Sequence, residues 1–524
     1  MRGSRMKKFK IAVIDLVTNG PKRSWYARIM YPNNASIMCQ AVAVWCRQAG
    51  HEVEYICYTG FEDVFHELPD DIDMVFVGAF THAALLSYAI SNYFRKKRAV
   101  TVLGGPHARS YPEDACKYFD YVLGLTDKRL ILDVVSDCKE YRPSGIFLTA
   151  KDHPNELPSV EERWEFINAA LNKVHGIKIV PLISSFGCPY NCRFCIDSTV
   201  DFRPLSYEQS KTDLRFIMKN MKNPQAGWQD PNFGVQFDKC MDAIEEAVPA
   251  HSVQFIAESS LSLLTESHCR RMQKIGFKAI LPGIESWQDF GSKSKSGNLT
   301  GEKKLREVAH QVNMILRYIP YVQTNFLLGL DIDKGKEPFE LTKRFVDLCP
   351  GAFPVYQLFT SYGESTLYDL ELQRSGRIIP FPFHFLNNFN AINIQPLNYT
   401  WTELYDHIID LLNYSFSWRN IYRRFIAQGP NVLGLMNVLR SVSSDRHSRL
   451  SYLTRIRKML DTDQNILAFF EGETKEIPEF YIECIRQELG PFWHYLPEGS
   501  IDYDPYVYLK KTQFAGNQKE LQAE

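Results

Sequence analysis

Hydrophobic and polar positions follow two alternating periods over the first 140 residues. Short apolar runs at 9–16, 51–58, 74–80, 100–105 and 121–125, bounded by turn residues, predict buried strands. Apolar residues at three- and four-residue spacing over 35–49, 85–97 and 128–137 predict helices between them. Strands alternating with helices specify an α/β fold with an open parallel sheet over 8–140, whose right-handed crossovers put a ligand at the carboxyl ends of the strands. Those ends are rich in glycine: Thr18, Asn19 and Gly20; Gly78, Ala79, Phe80, Thr81 and His82; Gly104, Gly105, Pro106 and His107; and Gly124. Glycine lets a bulky ligand approach the backbone closely, and it is also ordinary turn punctuation.

Residues 141–178 read as a linker, interrupted by Pro143, Pro154 and Pro158, with a helical stretch over 161–172. From 179 to 380 the strand-helix pattern restarts. Strands over 180–184, 253–257, 279–282, 322–328 and 355–360, with another ending at 227–234, each run into a polar or glycine-rich loop. Six such units predict a partial (βα)6 barrel with its chemistry on the loop face. Asp230, Asn232, Glu258, Glu285, Ser286, Gly329 and the segment Tyr362-Gly-Glu-Ser365 fall on those loops.

The region 381–524 reads as a helical domain. Trp401, Leu404, Tyr405, Ile408, Leu411 and Leu412 keep helical spacing, and Tyr414, Phe416, Trp418, Tyr422 and Phe425 continue an aromatic stripe that predicts packing against the barrel. This unit, with Tyr495, Tyr503, Tyr506 and Tyr508, is also a candidate lid over the open side of a six-stranded barrel. Arg419, Arg423 and Arg424 form a basic cluster, expected as a solvated helix face or a contact for an anionic group.

Composition narrows the class without choosing a partner. A chain of 524 residues exceeds one ordinary core, and 45% hydrophobic with 23% charged residues is a globular balance. A formal net charge of −1 gives no global field for nucleic acid or an anionic membrane. Neither a transmembrane run nor the apolar core of a signal peptide appears, and scattered cysteines among the twelve fit a reducing compartment, so a cytoplasmic protein without disulfides is expected.

The most specific chemistry is Cys188-x3-Cys192-x2-Cys195, three thiols with no fourth nearby. Thiolates at this density bind soft metal. Two readings follow: a [4Fe-4S] cluster with one iron left open, or a zinc site completed by a distant ligand such as His175. A zinc site normally brings a second ligand pair at regular spacing, and none appears.

The spacing, with Phe194 before the last cysteine, resembles the signature of the radical S-adenosylmethionine (SAM) superfamily. Upstream, Gln48-Ala-Gly-His-Glu-Val53 and Val102-Leu-Gly-Gly-Pro-His-Ala108, followed by Tyr111-Pro-Glu113, resemble the Rossmann-like cobalamin-binding domain that precedes many radical SAM domains. The resemblance covers residues 10–380. It implies that Cys188, Cys192 and Cys195 hold the cluster, whose open iron chelates SAM. It places Asp230 and Asn232 near the SAM amino group, Glu285 and Ser286 near its ribose and carboxylate, Glu258 as a further polar contact and Gly329 near adenine. It assigns Thr18, Asn19, Gly20, Ala79, Phe80, Thr81, His82, Gly104, Gly105, Pro106, His107 and Gly124 to cobalamin. There is no Asp-x-His-x-x-Gly, so His82 and His107 are expected to bond backbone or cofactor amides, cobalt ligation being the alternative. Relatives often carry Gly-Glu-Gly-Glu where this chain has Gly124-Leu-Thr-Asp127.

The activity implied is methylation of an unactivated carbon, on a small-molecule or lipid-like substrate, through a 5'-deoxyadenosyl radical and methylcobalamin. A flavodoxin or ferredoxin is the implied electron donor, and no nucleic acid partner is expected. Three alternatives stay open: a cobalamin-dependent cyclase or rearrangement enzyme, a radical SAM enzyme that has lost cobalamin, and an Fe-S electron carrier or sensor.

Overall fold

The computed structural model describes residues 7–174, 176–190, 192–288, 299–363 and 366–506. His175, Ser365 and Tyr508 lie outside the described residues. The chain forms two compact units. The first comprises the chain up to Pro181 with Pro382–His384 and Glu479–Asp504; the second comprises Leu182–Phe381 and Phe385–Pro478.

The first unit is built on six strands: β1 (Lys10–Leu16), β2 (Glu52–Tyr58), β3 (Met74–Ala79), β4 (Val100–Gly104), β5 (Tyr121–Leu123) and β6 (Ile146–Leu148), in the order β2-β1-β3-β4-β5-β6. All pairs are parallel. The strand order reverses between β1 and β3, the position at which open α/β sheets form a ligand crevice. Ile11, Val13, Phe76 and Val102 bury one sheet face against Trp45 of helix Ile37–Gln48, Val134 and Phe166.

The segment expected as a linker supplies β6 and a helix, Val160–Leu171. That helix starts with a capping box between Ser159 and Glu162 and buries Phe166 in the sheet core. Arg163, also buried, donates to Gln40 Oε1 at 2.7 Å. The strand escaped the periodicity because it has three residues, all at least partly exposed.

The second unit begins at β7 (Ile179–Leu182), which crosses the unit boundary. A short antiparallel pair follows, β8 (Ser185–Phe186) with β9 (Arg203–Pro204), and then β10 (Gln225–Trp228), β11 (Gln254–Ser260), β12 (Phe277–Glu285), β13 (Tyr321–Leu328) and β14 (Phe353–Leu358). The main sheet runs in consecutive order, β14-β13-β12-β11-β10-β7, parallel in each pair from β10 to β14. Helices follow the strands, as (βα) units require.

The helices Trp418–Gln428 and Val432–Ser441 of this unit lie at the amino ends of the strands, opposite the loop face. Ala279, Tyr321 and Phe353, near the starts of β12, β13 and β14, pack with Phe416 and Leu433. Arg440 stacks 4.2 Å from the Phe353 ring and donates to Gln323 Oε1 at 3.0 Å. These helices floor the sheet at its strand starts rather than forming a lid there. The remaining C-terminal helix, Glu479–Leu489, joins the first unit, where Tyr481, Ile485 and Leu489 are buried and Phe492 lies 4.9 Å from Phe65.

Candidate functional site

The cysteine loop is fixed from its first residue. Gly187 takes φ +66°, and a Cβ there would stand 2.3 Å from the Asp201 carbonyl oxygen, so only glycine fits this turn. The β8–β9 pair and a bond from Cys188 N to the Val200 carbonyl (3.4 Å) close the loop's base. Cys188 and Cys192 are buried, Cys195 is half-buried, and all three are free thiols. The Cys195 amide donates to the Cys192 carbonyl at 3.0 Å.

The residues between the cysteines place the loop across the strands' carboxyl ends. Tyr190 Oη meets Ser262 Oγ at 3.0 Å just beyond β11. Phe194 packs on the apolar group of Leu330, Phe359 and Leu372 beyond β13 and β14. Arg193 pairs with Glu371 and lies 4.9 Å over the Tyr368 ring. Among the described residues no three His, Cys, Asp or Glu side chains converge on a single ion. Thiolates bound to separate irons of a cluster stand farther apart than ligands sharing one ion, and three soft donors on one short loop are the donor set a cluster needs.

Asp230 and Asn232 stitch strand ends together. The buried Asp230 carboxylate accepts from Ser184 N at 3.0 Å, Ser184 Oγ at 2.6 Å and Ser185 Oγ at 2.8 Å, tying the end of β10 to the entry of the cysteine loop. Burial pushes its pKa up while these donors pull it back. Asn232 Oδ1 accepts from Ser260 N at 2.8 Å, at the end of β11. Glu258 keeps an exposed side chain on the same strand.

Glu285 is the backbone outlier of this face. It adopts φ +65° where the β12–β13 register slips between Gly283 and Glu285, and its carboxylate fills the space a Cβ on Gly283 would need, with Oε1 2.1 Å from that point. Strain of this kind gathers at functional sites. Gly329, at φ +88°, likewise presses against Ile392, whose Cδ1 would lie 2.8 Å from a Cβ.

Ser286 leads to a residue the sequence reading passed over. Its hydroxyl donates to Asp333 Oδ1 at 3.1 Å, and both are buried. Burial raises the Asp333 carboxyl to about 7, against the opposing influence of Ser286 and Lys304. Its one sequence signal was its place two residues after Asp331 in a post-strand loop. The folded state therefore holds a proton that the unfolded chain releases near pH 4. The resulting stability is complete below that point and is lost as pH rises through about 7. Asp333→Asn is expected to flatten this loss, which in the wild type reaches about 1.4 kcal/mol per pH unit at its steepest. Urea midpoints measured from about pH 5 to 8 check it, since equal slopes in both proteins would refute the assignment.

In the first unit the switch-point loops divide into a covered half and an open half. Thr18 and Asn19 are buried, and a Cβ on Gly20 would lie 2.3 Å from the Glu488 carbonyl oxygen. Asn19 receives Lys22 Nζ on Oδ1 at 2.8 Å and places Nδ2 3.1 Å from His384 Nε2, which is itself 2.9 Å from Glu488 Oε2. His384 and Glu488 lie hundreds of residues from Asn19, so no local pattern could announce them. His82 stacks with Phe80, and burial, with His384 and Lys22 nearby, holds it down to about 4. Thr81 is buried beside it.

The open half lies at β3 and β4. Phe80 is 54% exposed. A Cβ on Gly104 would meet nothing within 4 Å, whereas one on Gly105, at φ +97°, would stand 2.8 Å from the Ala79 carbonyl oxygen. Pro106 starts the short helix Pro106–Ser110, which carries His107 inward. His107 is fully buried, with Nε2 2.7 Å from Tyr88 Oη and its ring 4.8 Å from Phe383, and burial pushes its pKa down to about 3. Gly124 faces Thr149 and Phe147 beside β6, where Thr149 Oγ1 would be 2.7 Å from a Cβ. A space kept clear above Gly104 beside an exposed aromatic suits a flat, bulky ring system.

No family model matches the chain. Bacteriochlorophyllide d C-8(2)-methyltransferase of Chlorobaculum tepidum is 23% identical over 435 residues, spanning 78% of this chain and 91% of that protein. The C-12(1)-methyltransferase of the same organism is 20% identical over 392 residues, spanning 71% and 81%. The solved structure of OxsB, a cobalamin-dependent S-adenosylmethionine radical enzyme, matches 97% of this chain and 84% of its own, with a TM-score of 0.57 at 12% identity. The chain is thus similar in sequence to two methyltransferases over most of its length and similar in fold to a cobalamin-dependent radical SAM enzyme. The OxsB likeness concerns the fold alone, and it extends over both units.

Proposed function

We propose that this protein is a cobalamin-dependent radical SAM enzyme that methylates an unactivated carbon of a large, largely apolar small molecule of the tetrapyrrole class. The observation that carries the reading is the three-cysteine loop laid across the strand ends, in a chain similar to methyltransferases over most of its length. The substrate class rests on the names of those two relatives, both bacteriochlorophyllide methyltransferases. Cys188, Cys192 and Cys195 would hold a [4Fe-4S] cluster. Glu285, Ser286 and the strand ends fixed by Asp230 and Asn232 would hold SAM, and the open surface at Phe80, Gly104 and Gly105 would hold the corrin. Together these cofactors supply radical cleavage of SAM and a transferable methyl group; the protein binds and orients them.

Within this reading each polar contact has a defined task. Asp230 holds Ser184 and Ser185 so that the cysteine loop leaves the sheet at one angle. Gly283 gives Glu285 room to fold its carboxylate over the strand end, where an acceptor would meet a ribose or an ammonium group. A low-potential flavodoxin or ferredoxin is the proposed electron donor. The test is anaerobic reconstitution with iron, sulfide and hydroxocobalamin, then desalting and metal analysis. About four irons and one cobalt per chain are expected. Turnover with reductant, SAM and a bacteriochlorophyllide should yield S-adenosylhomocysteine and 5'-deoxyadenosine together. Iron without cobalt would remove methyl transfer through cobalamin, and deoxyadenosine without S-adenosylhomocysteine would indicate a rearrangement instead.

A further inference from the structure

One face of the helix Ser444–Thr462 in the second unit is buried at helical spacing, through Leu460, Ile456 and Leu453. Continued towards the start of the helix, the same steps of three and four residues reach Arg449 and Arg446. Two arginines thus stand where the period calls for core residues, each with only part of its surface open.

Arg449 is held in place but not satisfied. Its Nε donates to the Phe389 carbonyl at 3.1 Å and its guanidinium lies 5.0 Å over the Phe389 ring, while the buried Nη2 meets no acceptor. Arg446, one turn earlier, lies 5.1 Å over Phe416 with a buried Nε that likewise meets none. Burial lowers the pKa of both, Arg449 to about 10, and among the described residues no carboxylate opposes it.

Other arginines of these helices are completed by the chain itself. Arg424, also buried, divides its guanidinium among the Ala352 carbonyl at 3.2 Å, the Ser415 carbonyl at 3.1 Å and Ser441 Oγ at 3.2 Å. Arg457, on the same helix as Arg449, pairs with Asp406 and Asp461. A desolvated charge is costly unless paired, and a guanidinium does not shed its proton at neutral pH. The N–H left over on Arg449 therefore calls for an acceptor from outside the chain.

The place suits one. Phe389 follows Asn388, whose carbonyl accepts the Leu358 amide at 2.6 Å, at the carboxyl end of β14, and whose Oδ1 accepts from Tyr362 Oη at 2.6 Å. β14 is an edge strand of its six-stranded sheet. Arg449 thus borders the loop face at the sheet's edge, beside an aromatic ring that is 36% exposed. A flat apolar ring system can lie on Phe389 while its acidic side chain reaches the guanidinium, and arginine with carboxylate makes one of the stronger hydrogen-bonded pairs.

We propose, on the tetrapyrrole substrate class put forward above, that Arg449 seats a propionate carboxylate of the substrate, with the ring system against Phe389. Arg446 adds positive charge one turn away.

The test is equilibrium dialysis of the reconstituted full chain against a chlorin with one propionic acid side chain, pheophorbide a, and against the methyl ester of that propionate. The wild type should bind the acid roughly tenfold or more tightly than the ester. Arg449→Gln should bind both as the wild type binds the ester, and Arg449→Lys, which keeps the charge without the fork, should recover part of the preference. Arg457→Gln removes a paired charge from the same helix and should keep the preference whole. Because Arg449 has no carboxylate partner to strand, Arg449→Gln should not lower the thermal midpoint as Arg424→Gln does. Equal binding of acid and ester by the wild type would overturn the assignment of Arg449 while leaving the substrate class standing. Binding of neither would overturn both. An acid preference that survives Arg449→Gln, or a variant that loses SAM binding instead, would place the carboxylate elsewhere and overturn the proposal.

Discussion

Cys192→Ala protein, reconstituted anaerobically, is expected to lack the visible absorbance of an Fe-S cluster and to release no detectable 5'-deoxyadenosine from SAM, while taking up cobalamin as the wild type does. Cys192 is a buried free thiol on a loop that offers three cysteines and no neighbouring fourth, so its removal leaves two ligands. Two thiolates do not hold a four-iron cluster against loss to solvent. The substitution removes one sulfur atom from a buried position, a change worth about 1 kcal/mol of stability, so the fold should survive it. Its effect should also be confined, because the proposed corrin surface is formed by a different sheet. Iron and cobalt analysis beside SAM cleavage reads all three quantities. Normal SAM cleavage by the variant would refute the cluster assignment, and joint loss of iron and cobalt would refute the separation of the two sites.

Gly104→Val and Gly105→Val are expected to fail in different ways, although the residues are adjacent. A Cβ at Gly104 projects into open space, so the variant should fold with an unchanged thermal midpoint. If the corrin lies over the end of β4, the new side chain occupies its place, and cobalt retained after desalting should fall to near zero while iron stays normal. Gly105 stands at φ +97° with a Cβ position 2.8 Å from a backbone oxygen of Ala79. Valine there adds backbone strain and a clash with a carbonyl that cannot swing aside, a cost of about 2–4 kcal/mol. Its cobalamin loss would accompany a lowered thermal midpoint. Full cobalt binding by Gly104→Val would place the corrin elsewhere.

The sequence by itself determined five of the six strands of the first sheet and the six strand positions of the second, because hydrophobic period is written within ten or so neighbouring residues. It determined the cysteine loop for the same reason: ligand spacing on one turn is local, and Gly187 before it fixes the turn. It passed over β6, whose three half-exposed residues carry too little period to register. The aromatic stripe expected to pack is divided by the fold. Trp401 and Tyr405 are buried, yet Trp418 and Tyr422 face solvent while Arg424 points inward over the rings of Phe353 and Phe416.

Only the tertiary structure decided which residues of each candidate loop are spent on holding it and which remain open. Asp230 faces Ser184 and Ser185 from a strand 46 residues away in sequence, and Asn19 is met by His384, 365 residues on. Such pairings depend on how strands and chain ends are brought together, and each is paid for by burial of the apolar residues around it rather than by any local preference. Period and spacing act over one or two turns of chain, whereas the exposure of Gly104, the proton on Asp333 and the free face of Trp418 are set by neighbours that only the folded chain supplies.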